Sequence, residues 1–358
     1  EDLATIMTLE QGKPLSEASG EVIYGASFVE WFAEEAKRVS GAILSATSND
    51  RRLMVLKQPI GVCVAITPWN FPIAMITRKI APALAAGCTI VIKPAELTPL
   101  SALALGELAE RAGIPPGVIN ILTADSDQSI AIGKTLCASP IVRHLSFTGS
   151  TEVGRILMEQ CAPTVKKLAL ELGGHAPFIV FEDADIDAAV AGAMLAKMRN
   201  IGQACTAANR FIVHEAVADE FAQKFAAKMG ELKLGRGVAE GTTCGPVINR
   251  AAQTNMQRLV ETTVSEGARV ITGGSAPAGD GYFFEPTVLD NVQPDSKIWT
   301  EEIFGPVAPI VRFKTEDEGV RLANDTEFGL VSYAYTQNAK RQLRLVETLD
   351  TGMTGINS

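Results

Sequence analysis

Two α/β domains, each built on a largely parallel sheet, are the fold class the sequence predicts, and three observations predict it. From residue 62 to 172, short apolar runs alternate with helical patterns of the length that βαβ units need. A second alternating series starts after Gly173-Gly174. The chain has 358 residues, 47% of them hydrophobic and 20% charged, which suits two sizeable cores.

In order, residues 1–45 read as helices, with Phe28, Trp31 and Phe32 on one face that belongs in a core. Residues 51–57 carry a strand pattern that Pro59 and Gly61 end. Strands then fall at 62–67, 89–93, 118–122, 144–147 and 167–172, separated by helices at 71–86, 100–112, 128–136 and 151–161. Thr98-Pro99 opens the second of these helices and Gly113 closes it. Parallel sheets bind ligands at the carboxyl ends of their strands, so the loops after 67, 93 and 147 are where a ligand is expected. The second series has strands at 178–181, 211–214, 269–272, 307–313, 331–335 and 353–356. Its helices lie at 186–197, around Val217, Phe221 and Phe225, and around Met256, Leu259, Val260 and Val264. The Gly/Pro/Ala-rich stretch 273–282 reads as a surface loop.

Composition excludes several classes of function. A net charge of −9 without a basic cluster argues against a nucleic-acid partner. No apolar run approaches the ~20 residues of a membrane-spanning helix. Six scattered cysteines form no disulfide framework, and no metal-ligand spacing is present. These features point to a reducing compartment: the cytoplasm, or the mitochondrial matrix in a eukaryote. The chain opens on Glu1 without a methionine and stops just after a strand pattern, so a fragment of a longer chain is expected.

Six short stretches carry candidate chemistry. Cys205 stands among small residues in Gly202-Gln203-Ala204-Cys205, between a helical pattern and an apolar run, where a thiol is presented and not lost in a core. Glu171 lies within the apolar run Leu170-Glu171-Leu172. Burial there would raise its pKa toward the value a general base needs, and a structural ion pair is the other reading. Asn70, in Pro68-Trp69-Asn70-Phe71-Pro72, either donates to a developing oxyanion or caps a helix. Lys93-Pro94-Ala95-Glu96 suits the hydroxyls of an adenosine ribose, and its carboxylate repels a 2′-phosphate; a solvated charge pair is the alternative. Gly149-Ser150-Thr151 offers a helix N-terminus to an anionic or polar ligand, or is an ordinary cap. Glu302-Ile303-Phe304 sets an acid for a second ribose and an aromatic ring for a nicotinamide; an exposed acid in a loop is the other reading. With only three histidines in the chain, a Cys–His dyad is not the natural reading and the base is a carboxylate.

The strings PWNFP (68–72), KPAE (93–96), FTGSTEVG (147–154), LELGG (170–174), GQAC (202–205) and EEIFGP (301–306) resemble, in order and spacing, the aldehyde dehydrogenase superfamily, essentially from end to end. The succinate-semialdehyde branch is the most similar, through the runs 56–61 and 75–79. The resemblance implies two Rossmann-like α/β domains: an NAD(P)-binding domain over 61–172 with helices from 1–45, and a catalytic domain over 173–358 that is incomplete at its C-terminus. Residues 46–60 would be the remnant of an oligomerisation β-hairpin, and the full-length protein a homo-oligomer, dimer or tetramer.

Carried over residue by residue, the resemblance makes Cys205 the nucleophile, Glu171 the base, and Asn70 with the Cys205 N–H the oxyanion hole. Thr67, Pro68, Trp69, Lys93, Glu96, Gly149, Ser150, Leu172, Glu302 and Phe304 would contact the cofactor, NAD with NADP as the alternative. Arg78 and Arg199 would clamp the distal carboxylate of a small aldehyde, succinate semialdehyde first, with glutarate semialdehyde or a general aldehyde as alternatives. Some relatives carry a second cysteine two positions after the nucleophile; Ala207 removes that redox pair here.

Overall fold

The computed structural model describes residues 1–358. It divides into two compact units, Glu1–Gln11 with Ala18–Leu172, and Gly12–Glu17 with Gly173–Ser358.

The first unit begins with helices α1 (Asp2–Gln11) and α2 (Leu15–Glu35). The expected helical run to residue 45 stops short. Strand β1 (Ala42–Leu44) pairs antiparallel with β2 (Leu53–Val55), so the hairpin begins before residue 46. Gly41 ends the helical pattern, and the apolar Ala42-Ile43-Leu44 reads as well in a strand as in a helix. Nor does one face of α2 carry all three aromatics inward: Trp31 is 65% exposed, while Phe28 and Phe32 are half-buried. The face turned inward carries Glu21 and Gly25.

A five-stranded parallel sheet follows: β3 (Val62–Ile66), β4 (Ile90–Lys93), β5 (Ile119–Ile121), β6 (Val142–Thr148) and β7 (Lys167–Glu171). Their order is β5-β4-β3-β6-β7. The connecting helices are α3 (Ala74–Ala85), α4 (Pro99–Arg111), α5 (Ser126–Ala138) and α6 (Thr151–Cys161). Alternate residues of β3 face opposite ways, Cys63 and Ala65 into one apolar cluster and Val64 into the other, so both faces are covered. The strand order reverses between β3 and β6, the topological switch point where such sheets bind ligands.

The second unit holds a seven-stranded sheet. Its strands are β8 (Ala176–Val180), β9 (Ala208–His214), β10 (Arg269–Thr272), β11 (Thr287–Asp290), β12 (Val307–Phe313), β13 (Val331–Tyr335) and β14 (Met353–Ile356). The order is β10-β11-β12-β9-β8-β13-β14, and β10 alone runs antiparallel to its neighbour. Helices α7 (Ile186–Met198), α8 (Glu215–Gly230), α9 (Arg250–Ser265), α10 (Lys297–Thr300), α11 (Glu316–Asn324) and α12 (Ala339–Thr348) complete it. Several helices start where a short polar side chain takes up a first-turn N–H: Asp185 before α7, Asn249 before α9, Thr315 before α11 and Asn338 before α12. The core is aromatic, with the Phe211 ring 5.2 Å from Phe178 and 5.0 Å from Phe225.

Candidate active site

In the first unit, the candidate residues meet at the carboxyl edge of the sheet. Ile66 pairs with both Lys93 and Phe147, and Thr148 with Glu171, so the loops after β3, β4, β6 and β7 emerge side by side. The Thr67 N–H donates to the Lys93 carbonyl at 3.1 Å and the Gly149 N–H to the Glu171 carbonyl at 3.0 Å. Lys93 and Glu96 form a pair at 3.8 Å. It is not a fully solvated one: burial pushes the Lys93 ammonium below its usual range, and Glu96 pulls it back. The Ser150 hydroxyl accepts from the Val153 N–H at 3.3 Å, so Ser150 caps α6 and the helix N-terminus points along the switch point. Thr67 is buried, with a hydroxyl that finds no partner in the protein. A buried orphan hydroxyl at this edge, beside a lysine–carboxylate pair and a helix N-terminus, fits an adenine dinucleotide.

Asn70 is buried in the middle of the β3–α3 loop and is not the cap of the helix. That role falls to Glu21 of α2, whose carboxylate accepts from the Ile73 N–H at 2.9 Å and the Ala74 N–H at 3.1 Å. Glu171 departs from expectation. It is exposed at the end of the edge strand β7, because Leu168 and Leu170 take the inward positions and leave Lys167, Ala169 and Glu171 on the open face. Its neighbour across a cavity of about 520 Å³ is Lys79, whose Nζ donates to the Ser146 hydroxyl at 2.8 Å. Burial, with the neighbouring Arg78 charge, pushes the Lys79 ammonium down to about 8, and Glu171 opposes.

Arg78 lines the same cavity. Its Nη2 donates to the Tyr24 hydroxyl at 3.1 Å, its Nη1 lies 3.8 Å from the Met75 sulfur, and its guanidinium stands over the Phe28 ring at 4.8 Å. All three partners are neutral.

In the second unit, the loop that carries Cys205 joins α7 to β9. Asn200, Ile201 and Gly202 are three consecutive left-handed residues, with φ of 52°, 61° and 75°. A β-branched residue there is strained, and strain of this kind persists only where the surroundings over-determine it. They do. The Asn200 N–H donates to the Glu17 carboxylate at 2.6 Å, and the Asn200 side-chain amide to the Gln203 carbonyl at 3.1 Å. The Ile248 N–H donates to the Gln203 side chain at 2.9 Å, and the Tyr333 hydroxyl to the Thr206 carbonyl at 2.9 Å. Fully buried Lys197, at the end of α7, donates to Asn209 on β9 at 2.8 Å and so ties the two ends of the loop together. A side chain at Gly202 would collide with the Gly305 carbonyl, and one at Gly174 with that of Cys205. None of these supports was read from the sequence, because all but the Asn200–Gln203 bond depend on a partner on another element. The run Lys197-Met198-Arg199-Asn200 was the one local signal.

Cys205 is half-buried, whereas the other five cysteines are buried; none is in a disulfide. Arg199 heads the short turn that follows α7, six positions before it. Glu302 is not an exposed loop acid. It is partly buried, accepts from the Gly174 N–H at 3.0 Å, and its carboxyl is pushed up to about 7 by burial, with the Gly174 N–H opposing. The carboxyl that burial raises is therefore Glu302. Phe304 follows in a left-handed conformation, φ 49°. His175, next to Gly174, is buried, bonded through Nε2 to the Trp299 carbonyl at 2.9 Å, and pushed down to about 3 by burial. It stays neutral. Gly174, Cys205, Glu302 and Phe304 all lie at the amino edge of this sheet, just before β8, β9 and β12. That is the opposite edge from the one used in the first unit.

The aldehyde dehydrogenase family model matches residues 1–358. The glutarate-semialdehyde dehydrogenase of Pseudomonas putida is 56% identical over 358 residues, covering 100% of this chain and 74% of that protein. The NADP(+) succinate-semialdehyde dehydrogenase GabD of Escherichia coli is 54% identical, again over 100% of this chain and 74% of its own. A crystal structure of succinate-semialdehyde dehydrogenase from Burkholderia pseudomallei superimposes with a TM-score of 0.98 at 58% identity, covering 100% of this chain and 74% of that one.

Proposed function

The chain belongs to the aldehyde dehydrogenase family, and on that premise we propose that it oxidises succinate semialdehyde to succinate with NAD as acceptor. Family membership makes it an oxidoreductase acting on aldehydes. The observation that carries the substrate is Arg78, a guanidinium facing a cavity with a phenol, a ring face and a thioether as its partners and no carboxylate among them. Such a charge calls for an anion from the substrate, and a guanidinium fork suits a carboxylate. Arg199 is the second arm of the clamp. Glutarate semialdehyde is the alternative, given the 56%-identical relative that bears its name.

In this reading the Cys205 thiolate attacks the aldehyde carbon to form a thiohemiacetal. Asn70 and the Cys205 N–H hold the oxyanion. When bound, the nicotinamide supplies the electrophile that takes up hydride. Thr67, Pro68, Trp69, Lys93, Glu96, Gly149, Ser150 and Leu172 would hold the cofactor from the first unit, Glu302 and Phe304 from the second. The remaining Cys205 thioester is hydrolysed by water that Glu171 deprotonates, and exposure gives that carboxylate direct access to water. Glu96 favours NAD over NADP, because it repels a 2′-phosphate. Two or more subunits are expected to associate through the hairpin.

Reduced-cofactor formation across an aldehyde panel tests the proposal. A charge-assisted hydrogen bond is worth about 1.5–3 kcal/mol, so kcat/KM for succinate semialdehyde should exceed that for propanal by about 10- to 150-fold. Equal values for the two aldehydes would overturn it. Arg78→Ala should erase most of the difference.

A further inference from the structure

Helix α2 carries a stripe at i, i+3, i+4 and i+7: Glu21, Tyr24, Gly25 and Phe28. Every member meets α3 or its N-terminus. Glu21 caps α3 through the Ile73 and Ala74 N–H groups. At Gly25 the two helices approach so closely that a side chain would come within 2.9 Å of the Ile73 side chain and 3.2 Å of Thr77. Tyr24 and Phe28, whose rings pack edge to face at 4.8 Å, both touch Arg78 of α3. The cap and the close approach set the register of the two helices, and the register delivers the two aromatics to one guanidinium.

The chemistry of that contact is selective. An acidic partner would also hold an arginine in place, but it would neutralise the charge. A phenol oxygen and a ring face restrict the side chain without pairing the charge to a carboxylate and leave most of the five N–H donors unused. A long, rotamer-rich side chain restrained in this way loses less conformational freedom when an anion arrives. A fixed anchor also fixes the reach at which a distal carboxylate is accepted.

We propose that Tyr24 and Phe28 are positioning residues that hold Arg78 as the anchor for the substrate's distal anion, and that they set the preference for its chain length. The inference rests on the reading that Arg78 binds that anion. Arg78 would touch the substrate; Tyr24 and Phe28 act through it.

The test compares kcat/KM for succinate semialdehyde, glutarate semialdehyde and propanal in the parent protein and in Tyr24→Phe, Phe28→Leu, Phe28→Trp and Arg78→Ala. Tyr24→Phe and Phe28→Leu should each lower the succinate-semialdehyde-to-propanal ratio by about three- to tenfold, mostly through KM. They should also narrow the difference between the two semialdehydes. Phe28→Trp, which keeps a ring face, should restore the ratio. If the ratios stay at parental values in Tyr24→Phe and Phe28→Leu while Arg78→Ala abolishes the preference, this inference fails and the substrate reading stands. If Arg78→Ala leaves the preference intact, the substrate reading itself fails. A change that is uniform across all three aldehydes would mark the two aromatics as merely structural.

Discussion

Cys205 is the half-buried thiol in a chain whose other five are buried. Burial pushes Cys63, Cys137 and Cys244 up to about 12, which leaves them almost entirely protonated and inert at neutral pH. Brief iodoacetamide treatment of the native protein should therefore label Cys205 first, at one site per chain by mass spectrometry, with loss of aldehyde oxidation in step. Simultaneous labelling of several cysteines would contradict this. Glu302 makes a second prediction at the same scale. Its folded-state pKa of about 7 lies above the ordinary 4.5, so the folded protein holds a proton that the unfolded chain has released between those values. Its contribution to stability is full below pH 4.5 and is lost as pH rises through about 7. His175, pushed down to about 3, acts in the opposite sense: its contribution is present above pH 6.5 and is lost as pH falls. Comparison of Glu302→Gln with the parent isolates the first effect. The variant should lose less thermal stability than the parent between pH 5 and 7.5, and parallel melting curves across that window would rule the idea out.

Elements decide how these residues are presented. Helix α6 begins at Ser150, whose hydroxyl takes up the Val153 N–H, so Ser150→Ala should cost about 1 kcal/mol of stability by denaturant melts. If the helix N-terminus also holds the cofactor, the variant should raise KM for NAD as well. A stability loss with an unchanged KM would separate the cap from the ligand. The Cys205 loop is the other element with a sharp requirement. Gly202 combines a left-handed φ of 75° with backbone packed where a Cβ would stand, so Gly202→Ala should cost more than about 2 kcal/mol and abolish turnover. A variant melting within a degree of the parent would show that the loop yields more readily than its hydrogen bonds indicate. Strand β7 explains why Glu171 is exposed where burial was expected. Leu170 and Leu172 flank the acid in sequence and suggested burial. On an edge strand they point the other way from it, and a period of two turns apolar neighbours into the reason for exposure.

The molecule as a whole is two α/β units, each covered on its own core, and a ligand that binds only the folded state must stabilise it. Saturation with NAD at a hundred times its Kd should raise the unfolding free energy by about 2.7 kcal/mol, seen as a higher Tm. No shift would argue against the dinucleotide site.

Much was legible in the sequence because the signals are local. Apolar runs alternating with helical patterns foretold the parallel sheets, and six short motifs with their spacing foretold the family. The placement of Thr67, Lys93 and Gly149 along one sheet edge also followed, because parallel strands in register bring their carboxyl ends together. The tertiary structure alone decided that Glu171 is exposed while Glu302 is the carboxyl that burial raises, and that Glu21 and not Asn70 caps α3. It also decided that Lys197, Gln203 and Tyr333 brace the Cys205 loop, and that Tyr24 and Phe28 meet Arg78. The physical reason is common to all of them. Burial, capping and bracing belong to pairs of groups on different elements, a dozen to more than a hundred residues apart, or to which side of a sheet is covered, and a pattern with a period of two or 3.6 residues carries no record of either.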